Sequence, residues 1–193
     1  MPRIQVAYAS RHGGTAGIAR RIAEVLRAEG AEVVVADTAD RPDPGTFDGH
    51  VIGSGVYLGS WLKEATAYLE RHQSTLAERP IWLFSSGPLP GSTKETDATD
   101  PLTVALGPET GPGSGGHRKI TELSAAIHPR DHRVFLGAYN PNDPPKSMPE
   151  RFLRLMPAGK QILPAGDFRD WEAIESWARE IAVALGVRVP IEA

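Results

Sequence analysis

Three short apolar runs of this chain end in the same chemistry, and that recurrence restricts the folds open to it. Ile4, Val6, Ala7, Tyr8 and Ala9 run into Ser10-Arg11-His12-Gly13-Gly14-Thr15. Asp48 to Ser54 runs into Gly55-Val56-Tyr57-Leu58-Gly59-Ser60, and Pro80 to Ser86 runs into Gly87-Pro88. Each run has the length and composition of a buried strand, and each ends in a hydroxyl with glycine close behind. In an open parallel sheet the carboxyl ends of the strands share one edge, and ligands bind there where the strand order reverses. Three hydroxyl-bearing loops gathered on one edge are hard to explain as bare turns.

The first loop is the most informative. Behind it Ile18, Ile22, Val25, Leu26 and Glu29 fall at helical spacing, with four apolar positions on one side. A strand that turns through hydroxyls and glycines into a helix aims unpaired backbone N–H groups at whatever sits above the turn. The helix dipole adds partial positive charge there, so the expected guest is a phosphate. Ser10 and Thr15 offer hydroxyls, Gly13 and Gly14 let the backbone approach closely, and Arg11 can add a charge-assisted bond. No Gly-Lys-Ser/Thr follows, so this is not the nucleotide-triphosphate loop. Nor is it the dinucleotide fingerprint, and in the second loop Leu58 stands where that pattern needs its last glycine.

The remaining elements alternate. Ala31 to Asp37 reads as the second strand, after Gly30 as a helix stop, and residues 38–47 as a loop. Trp61, Leu62, Ala65, Tyr68, Leu69 and Leu76 read as one helix. Gly87 to Arg118 carries five prolines and seven glycines and reads as a Gly/Pro-rich insertion, with a short helix expected over Pro101 to Leu106. Ile120, Leu123, Ser124 and Ile127 resume helical spacing, and Asp131 to Tyr139 reads as the fifth strand. After a Pro/Asn loop at 140–149 and a short helix over Glu150 to Met156, the last helix starts at Asp170 as N-cap. Its apolar side is Trp171, Ile174, Trp177 or Ala178, Ile181 and Leu185. This alternation predicts right-handed crossovers and a five-stranded parallel α/β sheet covered by helices on both faces, in a single domain over 1–193.

Composition narrows the function classes. A net charge of −3 over 193 residues gives no electrostatic reason to expect nucleic acid or an anionic membrane as partner. The absence of cysteine removes disulfides, thiolate nucleophiles and iron–sulfur clusters. No signal peptide and no membrane-spanning run are visible, so a cytoplasmic protein without peripheral membrane contact is expected.

The motifs match a known family. Y-A-S-R-H-G-G-T with I-A-R-R-I-A-E resembles the phosphate loop and first helix of flavodoxins, and V-I-G-S-G-V-Y-L-G-S-W-L-K-E resembles their second, flavin-contacting loop. W-L-K-E, R-V-F-L-G-A-Y and G-D-F-R-D-W-E-A-I resemble the flavodoxin-type menaquinone-dependent protoporphyrinogen dehydrogenases. The likeness spans nearly the whole chain except roughly residues 89–118 and 140–163. It implies the flavodoxin-like doubly wound sheet of order 2-1-3-4-5 and a single FMN across its carboxyl edge. Ser10, Arg11, His12, Gly13, Gly14 and Thr15 would then hold the phosphate. Ser54, Gly55, Val56, Tyr57, Leu58 and Gly59 would border the isoalloxazine, with Tyr57 as its aromatic platform, and Ser85, Ser86, Gly87 and Pro88 would form the third wall. In the dehydrogenases the long loop is longer and basic, whereas here it is Gly/Pro-rich and weakly charged.

A flavin supplies the redox chemistry itself, so no catalytic side chain is expected. His12 reads as a solvated loop residue, and His117 and His128 as surface residues. Arg130, Asp131, His132 and Arg133 read as a solvated turn, and Trp61, Trp171 and Trp177 as core. No histidines and carboxylates stand at metal-ligand spacing, so no metal is expected. Three functions compete: an FMN-dependent oxidoreductase acting on a small organic substrate with an acceptor such as a quinone, a flavodoxin-like electron carrier serving a redox partner, and a flavin-free interaction protein. The first is preferred, because carriers rely on a strongly acidic docking face and the intact first loop with Tyr57 argues for a cofactor. The long loop reads as a partly mobile insertion, with an ordered lid over the substrate as the other reading. Oligomeric state is not legible.

Overall fold

Successive residues of β1 (Arg3–Ala9) point to opposite sides of the sheet, and both sides are apolar. Ile4 and Val6 enter one core, Ala7 and Ala9 the other. The same division holds in β3 (Gly49–Tyr57), with Val51 against Ile52, and in β5 (Ile81–Ser86), with Trp82 and Phe84 against Ile81 and Leu83. Strands buried on both faces require helices on both, as the near-continuous apolar runs predict. α1 (Gly14–Ala28) and α5 (Trp171–Ala184) cover the first face through Ile18, Ile22, Ile174 and Trp177. α2 (Lys63–Arg71), α3 (Gln73–Ala77) and α4 (Gly115–Ile127) cover the second through Tyr68, Leu69, Leu76 and Ile120. The computed structural model describes residues 1–57, 60–87, 115–140, 142–144 and 165–187, with 115–118 and 139 by backbone only.

The sheet runs β2 (Glu32–Asp37), β1, β3, β5, β6 (Asp131–Phe135), all neighbours parallel. Counted over these five strands it is the expected order 2-1-3-4-5. The order reverses at β1, which pairs with β2 on one side and β3 on the other. Register places Ala9 opposite Ser54, Ser54 opposite Ser85, and Ser85 opposite Val134. The three hydroxyl-bearing loops therefore leave the same sheet edge side by side.

Several expectations need correction. Trp61 does not open a helix: it lies in β4 (Ser60–Trp61), a short arm antiparallel to the end of β3, and the helix behind it breaks at His72 into α2 and α3. The fifth strand stops at Phe135. Ala138–Tyr139 (β7) leaves the sheet and pairs antiparallel with Gly166–Asp167 (β8) in a separate ribbon. At Gly137, between the two segments, the chain passes close to the Gly87 backbone, 3.4 Å from where a Cβ would be. α4 begins at Gly115, inside the stretch read as insertion. The expected short helices over Pro101 to Leu106 and Glu150 to Met156 lie outside the described residues.

Trp177 is buried as expected and closes an aromatic cluster with Phe84 and Phe135, at centroid distances of 6.3 and 5.6 Å. Trp171 is 36% exposed rather than core, and the Arg169 guanidinium lies 4.3 Å above its ring. The charge cluster at 130–133 is no solvated turn. Asp131 accepts hydrogen bonds from the Trp177 indole, the Arg133 guanidinium and the His132 backbone, which outweigh the effect of its burial and hold its carboxyl below the usual range.

Candidate functional site

The first loop is closed by its own serine. The Gly13 backbone N–H donates to Ser10 Oγ at 3.1 Å, and Gly13 takes the left-handed conformation (φ 81°) that a residue with a side chain rarely adopts. Gly13 is the N-cap of α1, and among the described residues no side chain caps that helix. No carboxylate stands in its first turn. The first N–H groups of a helix have no intrahelical partner, so this end presents uncapped donors and the positive end of a dipole. Thr15 is buried, and its hydroxyl lies 3.1 Å from where a Cβ on Gly55 would be.

Gly55 has a second close neighbour: Tyr57 Cε2 would lie 2.8 Å from a Cβ there, so a side chain would require the ring to shift. The Tyr57 ring thus folds back over Gly55 toward Thr15. Arg11 reaches across from the first loop and places its guanidinium carbon 4.9 Å from the Tyr57 ring centroid. The His12 ring lies 6.4 Å from the same ring, tilted by 46°. The first two loops are joined through these contacts between charged, polar and aromatic side chains.

The structure divides the sequence-predicted residues into two groups. Ser10, Arg11, His12, Gly13, Gly14, Thr15, Gly55, Tyr57, Ser86 and Gly87 sit together at the sheet edge. Gly87 takes φ 87° and donates its N–H to Phe135 O at 3.0 Å, fixing the third loop against β6. The hydroxyls of Ser54 and Ser85 face the second core instead. Ser54 Oγ donates to Gly55 O and accepts the Leu62 N–H, which holds the turn into α2. Ser85 Oγ accepts the Trp61 indole N–H at 2.9 Å and pairs with His132 Nε2 at 3.0 Å. Both serines are fully buried, so their hydroxyls serve the scaffold beneath the edge. Val56 is half-buried against the second core and pairs with Trp61. Leu58, Gly59 and Pro88 lie outside the described residues.

Sequence reasoning missed the far side of the first loop. A Cβ on Gly14 would lie 3.5 Å from the Ala138 backbone nitrogen and oxygen, so the β7–β8 ribbon packs on the first turn of α1. Arg169, just beyond β8, donates to Gly14 O at 3.4 Å and to the Asp167 carboxylate, whose pKa it holds below the usual range. Its guanidinium fills the space beside Gly17, where a Cβ would come within 2.3 Å of Nη1. Gly14 and Gly17 are three apart, on one face of the helix, and that spacing was the readable signal.

A family model described as a flavodoxin domain matches residues 5–140. The chain belongs to the flavodoxin family. Among solved flavodoxins, flavodoxin 1 of Bacillus cereus superposes with a TM-score of 0.55 at 15% identity, covering 94% of this chain and 97% of that one. Flavodoxin 2 of the same organism gives 0.55 at 19%, covering 94% and 99%. The rubredoxin oxygen:oxidoreductase of Desulfovibrio gigas gives 0.53 at 15%; the match covers 95% of this chain but only 36% of that longer one. These likenesses show the fold, and the flavodoxin-domain match supports a flavin-associated redox role. Among the described residues no helix is long and apolar enough to cross a membrane.

The donor set fits FMN, the phosphorylated flavin. An uncapped helix end with a left-handed glycine, a hydroxyl and an arginine suits a phosphate dianion, and Tyr57 beside it suits a flat ring.

Proposed function

We propose that this flavodoxin-family protein is an FMN-dependent oxidoreductase of the protoporphyrinogen-dehydrogenase-like type, passing reducing equivalents from an organic substrate to an acceptor such as a quinone. The supporting observation is the register that sets Ala9, Ser54 and Ser85 in one row, with the uncapped end of α1 and Tyr57 above it. Bound FMN would supply the redox chemistry, taking up and releasing electrons itself. The chain's own residues would bind and orient it: the Ser10–Thr15 loop at the phosphate, the Ser54–Gly59 loop with Tyr57 along the ring, and Ser85–Pro88 as the third side.

Two motifs that carry the narrower likeness support it jointly. The end of R-V-F-L-G-A-Y forms β7, the start of G-D-F-R-D-W-E-A-I forms β8, and the two pair with each other against Gly14. The cationic side chains around the first loop, Arg11 and Arg169, also favour this reading over a carrier with an acidic docking face. The test is to load the protein with FMN and assay protoporphyrinogen oxidation with a soluble quinone. Turnover above the FMN-only control supports the reading. Flavin loading with no turnover, but rapid electron exchange with a protein acceptor, favours the carrier.

A further inference from the structure

We propose that Arg11 makes this site select a phosphorylated flavin by guarding the Tyr57 ring until a phosphate arrives to take the guanidinium. The inference rests on the reading that the Ser10–Thr15 loop holds the FMN phosphate. Arg11 already has a partner: its guanidinium lies over the Tyr57 ring, 4.9 Å from the centroid. One edge of that ring is packed over Gly55 beside Thr15. A flavin that stacks on the Tyr57 face covered by Arg11 must displace the guanidinium.

What happens to Arg11 then depends on the ligand. FMN brings a dianion to the end of α1, only a few residues from Arg11 along the loop, and a guanidinium exchanges its ring contact for charge-assisted hydrogen bonds to phosphate oxygens. Riboflavin brings the same ring and no charge, so the cation leaves the Tyr57 face with nothing in return. The uncapped end of α1 rewards the phosphate, and Arg11 additionally penalises its absence. A simple phosphate ligand would do only the first.

The experiment is a fluorescence titration of wild type and Arg11→Ala with both FMN and riboflavin. Removing Arg11 should weaken FMN about tenfold or more through the lost charged contact. The same change should tighten riboflavin about threefold, because the cation–π contact no longer has to be broken. In a Tyr57→Leu background the riboflavin gain should vanish, since there is no ring left to guard. Riboflavin affinity that is unchanged or weaker in Arg11→Ala, with wild type binding FMN normally, overturns the guard role and leaves the flavin reading standing. A riboflavin gain that persists without Tyr57 also overturns it. Wild type that is folded and binds neither flavin overturns the underlying reading, and the guard role with it.

Discussion

The Phe84 ring lies where a side chain on Gly53 would have to go: a Cβ there would come 2.0 Å from Phe84 Cζ. Gly53 and Phe84 are register partners on β3 and β5, so the conflict cannot be relieved by a small loop shift. Phe84 is itself held by Phe135 and Trp177. Gly53→Ala should destabilise the fold by about 1–3 kcal/mol or more, the usual consequence of overpacking a filled core. Urea unfolding measures this as a fall in midpoint at constant m, and an unchanged midpoint would mean that the cluster has room to repack.

Ser85 ties three elements together through one hydroxyl, accepting from Trp61 on β4 and pairing with His132 on β6. Ser85→Ala leaves the buried Trp61 N–H without its acceptor, at a cost of about 1–3 kcal/mol. Thermal denaturation should show the loss, and Ser85→Thr should recover part of it by restoring a hydroxyl.

At the opposite end of the sheet, His50 sets a pH dependence. Gln5 Nε2 donates to Asp43 O, which orients Gln5 Oε1 to accept from both the Tyr68 hydroxyl and His50 Nδ1–H. His50 Nε2 has no partner among the described residues, so a second proton would bury an unpaired N–H. Burial, with the Arg79 charge adding to it, lowers the His50 pKa from 6.5 to about 4. Between those values the unfolded chain binds the proton and the folded chain does not. Stability from this group is therefore complete above pH 6.5 and is lost as pH falls toward 4, by at most about 3 kcal/mol. His72, whose pKa burial also lowers, adds to the slope in the same direction. Urea midpoints at pH 7.5 and 5 should differ accordingly, and His50→Asn should flatten the difference.

Gly17 separates helix stability from loop support. Alanine is the better helix former by about 1 kcal/mol, but its Cβ would meet the Arg169 guanidinium and push it off Gly14. Gly17→Ala should therefore melt within a few degrees of wild type while binding FMN several-fold more weakly. Unchanged FMN affinity would show that Arg169 does not steady the phosphate loop.

The layered fold was legible because it rests on local pattern. Ile4 and Val6 against Ala7 and Ala9 alternate along one strand, and Ile18, Ile22 and Leu26 repeat along one helix, so burial on two faces could be read from spacing alone. The ribbon was not legible, because Ala138 pairs with Asp167 far along the chain and D-H-R-V-F-L-G-A-Y reads locally as one unbroken strand. Trp171 sits at the same helical phase as Ile174, but in the first turn of α5 it meets Arg169 rather than core. At the candidate site the turn from β1 through Ser10 and Gly13 into α1 was readable from its hydroxyls and glycines. The engagement of the Ser54 and Ser85 hydroxyls was not, since their partners, the Leu62 N–H, the Trp61 indole and His132, come from other elements that only the fold brings to them.

The most direct test of the account is an FMN titration of the purified protein, followed by flavin fluorescence and absorbance. The account expects saturable binding of a single equivalent with quenched fluorescence, weakened by competing inorganic phosphate. A well-folded protein that leaves FMN fluorescence unchanged at every concentration would contradict it.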